Sequence, residues 1–69
     1  MATFEIYIDD DRYSVPSLYL ITAANEAGAR EAARKLLRDS EHHLGVDLRS
    51  DGARLLALGS YAGGGCSAA

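Results

Sequence analysis

Thr3-Phe4-Glu5-Ile6-Tyr7-Ile8-Asp9 is the stretch on which the fold turns. Phe4, Ile6 and Ile8 fall on one side and Glu5, Tyr7 and Asp9 on the other, the period-two pattern of a strand with one buried face. Asp9-Asp10-Asp11-Arg12 then supplies residues that favour turns. Pro16 has no amide proton for a central ladder, so the next strand, Ser17 to Ala23, is expected at a sheet edge. Its Leu18-Tyr19-Leu20-Ile21 core is apolar on both faces.

From Asn25 the period changes. Ala29, Ala32, Ala33, Leu36 and Leu37 fall within an arc of about 140° when each residue advances ~100° around a helix axis. Asn25 suits the N-cap, Glu26 the positive end of the helix dipole, and Arg34, Lys35 and Arg38 the negative end, which predicts a helix from Glu26 to Ser40. Its alanines let the backbone lie close to a sheet. After Glu41-His42-His43-Leu44 the chain is expected to turn at Gly45. Val46-Asp47-Leu48-Arg49 alternates again, Asp51-Gly52 marks a hairpin turn, and Ala53 to Ser60 supplies the fourth strand.

The element order is therefore ββαββ, an α+β domain with one helix on a four-stranded, mostly antiparallel sheet. With the helix as a crossover between two hairpins the sheet order is 2-1-3-4. The alternative is a β-grasp-like 2-1-4-3, in which the last strand runs parallel to the first. Residues 1–61 read as this single domain, and 62–69, with three adjacent glycines and no large apolar residue, as a flexible glycine-rich tail.

Composition bounds the function. Twelve of the hydrophobic residues are alanine, leaving 15 Leu, Ile, Val and Phe side chains for a core. A chain of 69 residues buries only roughly 60% of the surface that its unfolded form exposes. Such domains often lean on a partner, a metal or a disulfide, and a single cysteine, Cys66, forms no internal disulfide. Ten acids against seven bases give a net charge of −3, which is not the balance of a nucleic-acid coat. No basic segment followed by an apolar run opens the chain, and nothing approaches the ~18 apolar residues of a membrane span. A cytoplasmic protein without membrane association is expected.

One helix covers one face of a sheet. With Phe4, Ile6, Ile8, Leu18, Leu20, Val46 and Leu48 assigned to the covered face, the other shows Tyr7, Tyr19, Ile21 and either Leu55 with Ala57 or Leu56 with Leu58. Exposed apolar patches of this kind mark association sites. Tyr7, Tyr19 and Ile21 are thus the expected protein-binding residues, for a homodimer or another protein partner, with Glu5, Asp47 and Arg49 restricting register. The competing expectation is that the Asp9 to Pro16 loop, with Tyr13 and Val15, folds over this face. Stacking of bases on the sheet is disfavoured by Glu5, Asp9 and Asp47.

Arg30, Arg34 and Arg38, four apart, form a stripe along the helix that suits an acidic partner or a phosphate backbone. Glu26 and Glu31 lie at pairing distance from it, the pattern of a solvated face, so nucleic acid is not the expected partner. His42 and His43 are adjacent and point apart, and Asp9-Asp10-Asp11 lacks the alternation of a calcium loop. No metal or other cofactor is expected. Cys66 has no walls to activate it and no serine sits in a strand-turn-helix elbow, so an enzyme is not expected either. Cys66-Ser67-Ala68-Ala69 has the bare outline of a prenylation signal without its aliphatic second residue.

Asp51-Gly52, a strand, then Gly63-Gly64 and a short stub resembles the end of the ubiquitin-like sulfur carriers. The resemblance implies a β-grasp fold with activation at Gly63-Gly64 or Gly64-Gly65 after removal of the following residues. It covers about 14 residues, and only some dozen separate the helix end from Asp51-Gly52, where those carriers have a further strand.

Overall fold

A computed structural model describes residues 1–62 of the chain. The elements are β1 (Ala2–Asp10), β2 (Ser17–Ala23), α1 (Glu26–Asp39), β3 (His43–Ser50) and β4 (Ala53–Gly59). The sheet order is β2-β1-β3-β4, with every neighbouring pair antiparallel. One helix packs on this sheet, an α+β fold, and the β-grasp order is excluded. Among the described residues no helix is long and apolar enough to cross a membrane.

Local chemistry sets each boundary. Asn25 is extended (φ −159°) and its side-chain Oδ1 accepts a 2.9 Å bond from the Gly28 amide, satisfying one of the free first-turn donors of α1. At the other end the Leu36 carbonyl accepts from Nδ1 of His43 at 2.6 Å, so a side chain of β3 closes the last turn of the helix. The β3–β4 hairpin is a two-residue turn in which Asp51 (φ 51°) and Gly52 (φ 81°) are both left-handed, as its primed geometry demands.

The core lies on one side of the sheet. Phe4, Ile6 and Ile8 of β1, Val46 and Leu48 of β3, and Ala29 and Ala33 of α1 are buried together. Register explains the grouping, because Ile6 lies directly across from Leu48 and Ile8 across from Val46. The alanines bring α1 close, mainly over β3 and less over β1 and β2. Leu56 and Leu58 oppose Leu48 and Val46 and extend the core to β4, where they are half-buried.

The face assignment expected for β2 is overturned. Phe4 pairs with Ile21 and Ile6 with Tyr19, so Tyr19 and Ile21 share the helix side, while Leu18 and Leu20 lie opposite Tyr7 and Glu5 on the other side. A strand that is apolar on both faces carries no pattern to fix its register, and a one-residue slip exchanges its faces. The pairing of Ile8 with Ser17 across the intervening loop makes that choice.

Gly45, expected to end a turn, lies inside β3, is buried, and pairs with Gly59. The two backbones approach so closely that a Cβ on Gly45 would meet Ser60 and the Leu58 carbonyl, and one on Gly59 (φ 63°) would collide with the Leu44 carbonyl oxygen. Beyond β4, Ser60 to Ala62 form a helical turn, so Ala62, expected in the tail, is half-buried against the domain. The rest of the expected tail lies outside the described residues, as do Gly63, Gly64 and Gly65.

Gly59→Ala combines a left-handed φ with a backbone collision and is expected to destabilise the domain by about 2–4 kcal/mol. Thermal unfolding followed by circular dichroism should show a fall in Tm of about 10 °C or more. A melting curve unchanged from the parent would contradict the close approach.

Candidate functional site

β2 is an outer strand, so the backbone N–H and C=O groups along its free edge have no partner strand among the described residues. Its sequence, Ser-Leu-Tyr-Leu-Ile-Thr-Ala, contains no charged residue, and its register with β1 runs without a shift. Leu18 is 51% exposed and Leu20 64% exposed on one flank, and Tyr19 is 44% exposed on the other. Ile21, opposite Phe4, is half-buried and packs on the core. Tyr13 and Val15 in the preceding loop are also exposed. The loop therefore does not fold over the sheet.

Of the three expected protein-binding residues, the structure brings together only Tyr19 and Ile21, on the helix side; Tyr7 is on the opposite face. Leu18 and Leu20, expected under the helix, are exposed instead, because a strand that is apolar on both faces does not mark in its sequence which face is buried.

The face away from the helix has a polar centre. Asp47, expected as an exposed charge, is only 2% exposed. Arg49 donates to its Oδ2 from Nε at 2.9 Å, and Arg54 donates from Nε to Oδ1 at 3.0 Å and from Nη2 to Oδ2 at 3.3 Å. The Arg49 guanidinium carbon sits 5.7 Å from the centroid of the Tyr7 ring. Arg49 and Arg54 are directly across from each other, and the carboxylate between them offsets their repulsion. Ser60 donates to Asp9 at 2.7 Å, which ties the C-terminal turn to this face. Burial raises the Tyr61 phenol above its ordinary pKa, with Asp9 and Asp47 adding to the rise and Arg49 and Arg54 opposing it. This half of the face is thus self-satisfied, and the apolar half is at β2.

The acidic run and the histidine pair meet each other. Asp10 accepts from Arg12 Nε at 3.0 Å and Nη2 at 2.7 Å, and from the Arg12 backbone amide at 2.9 Å. His43 Nε2 stands 3.7 Å from the same carboxylate, while His42 Nδ1 lies 2.8 Å from Asp11. Each histidine serves one aspartate, which joins the β1 end to the turn before β3. Among the described residues no three His, Cys, Asp or Glu side chains gather as metal ligands, and no cavity opens.

The arginine stripe is partly engaged in place. Arg30 pairs with Glu26 at 3.4 Å and Arg34 with Glu31 at 3.0 Å, while Arg38 occupies the exposed last turn. Such solvated pairs are weak and leave the arginines to water.

Two electrostatic consequences follow from this geometry. Arg49 and Arg54 are 38% and 46% exposed, so Asp47→Asn leaves its partners solvated and should cost about 1–3 kcal/mol. The double variant Arg49→Gln/Arg54→Gln strands a buried carboxylate and should cost more, about 3–5 kcal/mol, in urea unfolding. Equal losses would refute the asymmetry. The Arg12 hydrogen bonds hold Asp10 well below the ordinary carboxylate value of 3.8. A depressed folded pKa stabilises above the unfolded value and is lost as pH falls through the folded one. The stability advantage of the parent over Asp10→Asn should therefore be constant near neutrality and shrink below about pH 4; an advantage that grows on acidification contradicts the pairing.

Against known proteins, the chain matches no family model, no curated protein and no solved structure.

Proposed function

We propose that this chain is a protein-interaction domain without catalytic chemistry of its own, and that it engages its partner through β2. The observation that carries this reading is an uncharged outer strand with a free backbone edge and exposed apolar side chains on both flanks. Soluble proteins commonly blunt such edges with charges, bulges or a covering element. β4, the other outer strand, carries Arg54, and its pairing with β3 shifts register at Leu48/Arg49. β2 has neither device.

A strand of this kind recognises an extended segment of protein. Main-chain hydrogen bonds supply affinity, and the flanking side chains supply selectivity. Leu18 and Leu20 offer one apolar flank and Tyr19 the other. The partner is protein, another copy included, rather than nucleic acid or membrane, since no cation lies on the strand to meet phosphate. A reducing, cytoplasmic setting belongs to the same proposal and suits a chain with one cysteine. The carrier resemblance rests on the tail alone, because the sheet does not have the β-grasp order.

A photoactivatable phenylalanine analogue at position 20, compared with one at the exposed helix residue Lys35, tests the site in the native cell. Discrete protein adducts are expected from position 20 and not from position 35. Position 20 yielding no more adduct than position 35 rejects β2 as the docking strand.

A further inference from the structure

We infer that the occupant of the β2 edge is the same edge of a second copy of this chain, paired antiparallel about a two-fold axis through Leu20. The inference rests on the reading of β2 as a docking strand and names its partner. Its starting point is a symmetry requirement. When two identical edges pair antiparallel, the two-fold axis stands perpendicular to the sheet, and directly opposed residues share a face. The axis must therefore pass at a single residue.

Leu20 is the midpoint of Ser17–Ala23. Centred there, Ser17 meets Ala23, Leu18 meets Thr22, Tyr19 meets Ile21 and Leu20 meets its own copy, so all seven residues of the strand are used. Centring on Tyr19 or on Ile21 pairs only five strand residues, and centring on Tyr19 brings Pro16, which has no N–H, against Thr22. In the Leu20 register Pro16 falls outside the paired segment.

Side chains agree with that register on both flanks. On the helix side, Tyr19 of each copy faces Ile21 of the other, an aromatic and β-branched pair of the kind that stabilises antiparallel ladders. On the other side, Leu18 and Leu20 of the two copies join into one apolar stripe flanked by Thr22. No charge is brought against a like charge. The nearest acid on that flank is Glu5, across from Leu20 on β1. The two Glu5 carboxylates then lie three strand spacings apart, about 14 Å, beyond the screening length at physiological salt.

The distribution of exposed apolar residues points the same way. The uncharged tract from Tyr13 and Val15 through β2 contains five of the seven large exposed apolar residues among those described, the others being Met1 and Leu44. The paired molecules form one continuous eight-stranded sheet with both helices on the same face.

Sedimentation equilibrium of the purified chain tests this directly. The expected mass is twice the 7.3 kDa of one chain, and Leu20→Lys, which sets two ammonium groups against each other at the axis, is expected to weaken the dimer about tenfold or more. Leu20 is exposed, so the fold should survive the change, which circular dichroism checks. In a Cys66→Ser background, Leu20→Cys should oxidise to a covalent dimer and Leu44→Cys should not, because only residues opposed across the axis meet disulfide geometry. A monomer throughout, or a dimer indifferent to Leu20→Lys, overturns the inference. A dimer sensitive to Leu20→Lys that Leu20→Cys fails to lock overturns the Leu20 register. If the chain is monomeric while position 20 crosslinks a different protein in the cell, the second copy is refuted and the docking strand stands. If it is monomeric and position 20 crosslinks nothing, both fail.

Discussion

The packing of Ala29 and Ala33 onto Ile6, Ile8, Val46 and Leu48 is the contact on which the rest of the structure depends. It lets the backbone of α1 lie close to the two central strands, which makes a thin core sufficient for a short chain. A larger residue at either alanine would lift the helix from the sheet, and overpacked cores relax by straining their neighbours. The same closeness confines the helix. Seated mainly over β3, it does not shelter the full width of a four-stranded sheet, and β2 is left at the margin.

Polar groups complete what the small core leaves unfinished. Asp10 links Arg12 to the neighbourhood of His43, and His43 in turn closes the helix C-terminus through the Leu36 carbonyl. Asp47 holds two opposed arginines on the other face, with Tyr7 beneath one of them. Both aspartates are buried, and each has its oxygens occupied by arginine donors. Their role is to fix neighbouring segments in place.

β2 stands apart from this scheme. It has no charged group and no shift in its pairing with β1, and α1 covers it only in part: Leu18 and Leu20 are exposed on the face away from the helix and Tyr19 remains exposed on the helix side. Every buried side-chain polar atom among the described residues has a hydrogen-bond partner, so this exposed apolar strand is where affinity for another chain can reside. Backbone pairing gives that affinity direction, and the absence of charge on the strand removes the electrostatic objection to a partner of the same sequence.

Much of the architecture was legible in the amino acids. The alternation of Phe4, Ile6 and Ile8, the arc of Ala29, Ala33 and Leu36, the cap at Asn25 and the Asp51-Gly52 turn each report a local period or a local φ requirement, so four strands, one helix and their succession along the chain could be read directly, whereas the choice between sheet orders 2-1-3-4 and 2-1-4-3 belonged to the tertiary structure. The glycines of the sulfur-carrier resemblance lie outside the described residues, and its fold was not the one found. Three further matters belonged to tertiary structure. The facing of β2 was hidden because both of its faces are apolar, and only its pairing with β1 put Tyr19 and Ile21 beside the helix and Leu18 and Leu20 outside. Asp47 looked like a surface charge because its burial comes from Arg49, Arg54 and their neighbours converging across strands. The aspartates and histidines read as separate clusters because they are about thirty residues apart and meet only when β1 and β3 align. Local pattern determines what a segment becomes; which of two equivalent faces it buries, and which distant charge it meets, is set by the register between strands, and register depends on the whole assembled sheet.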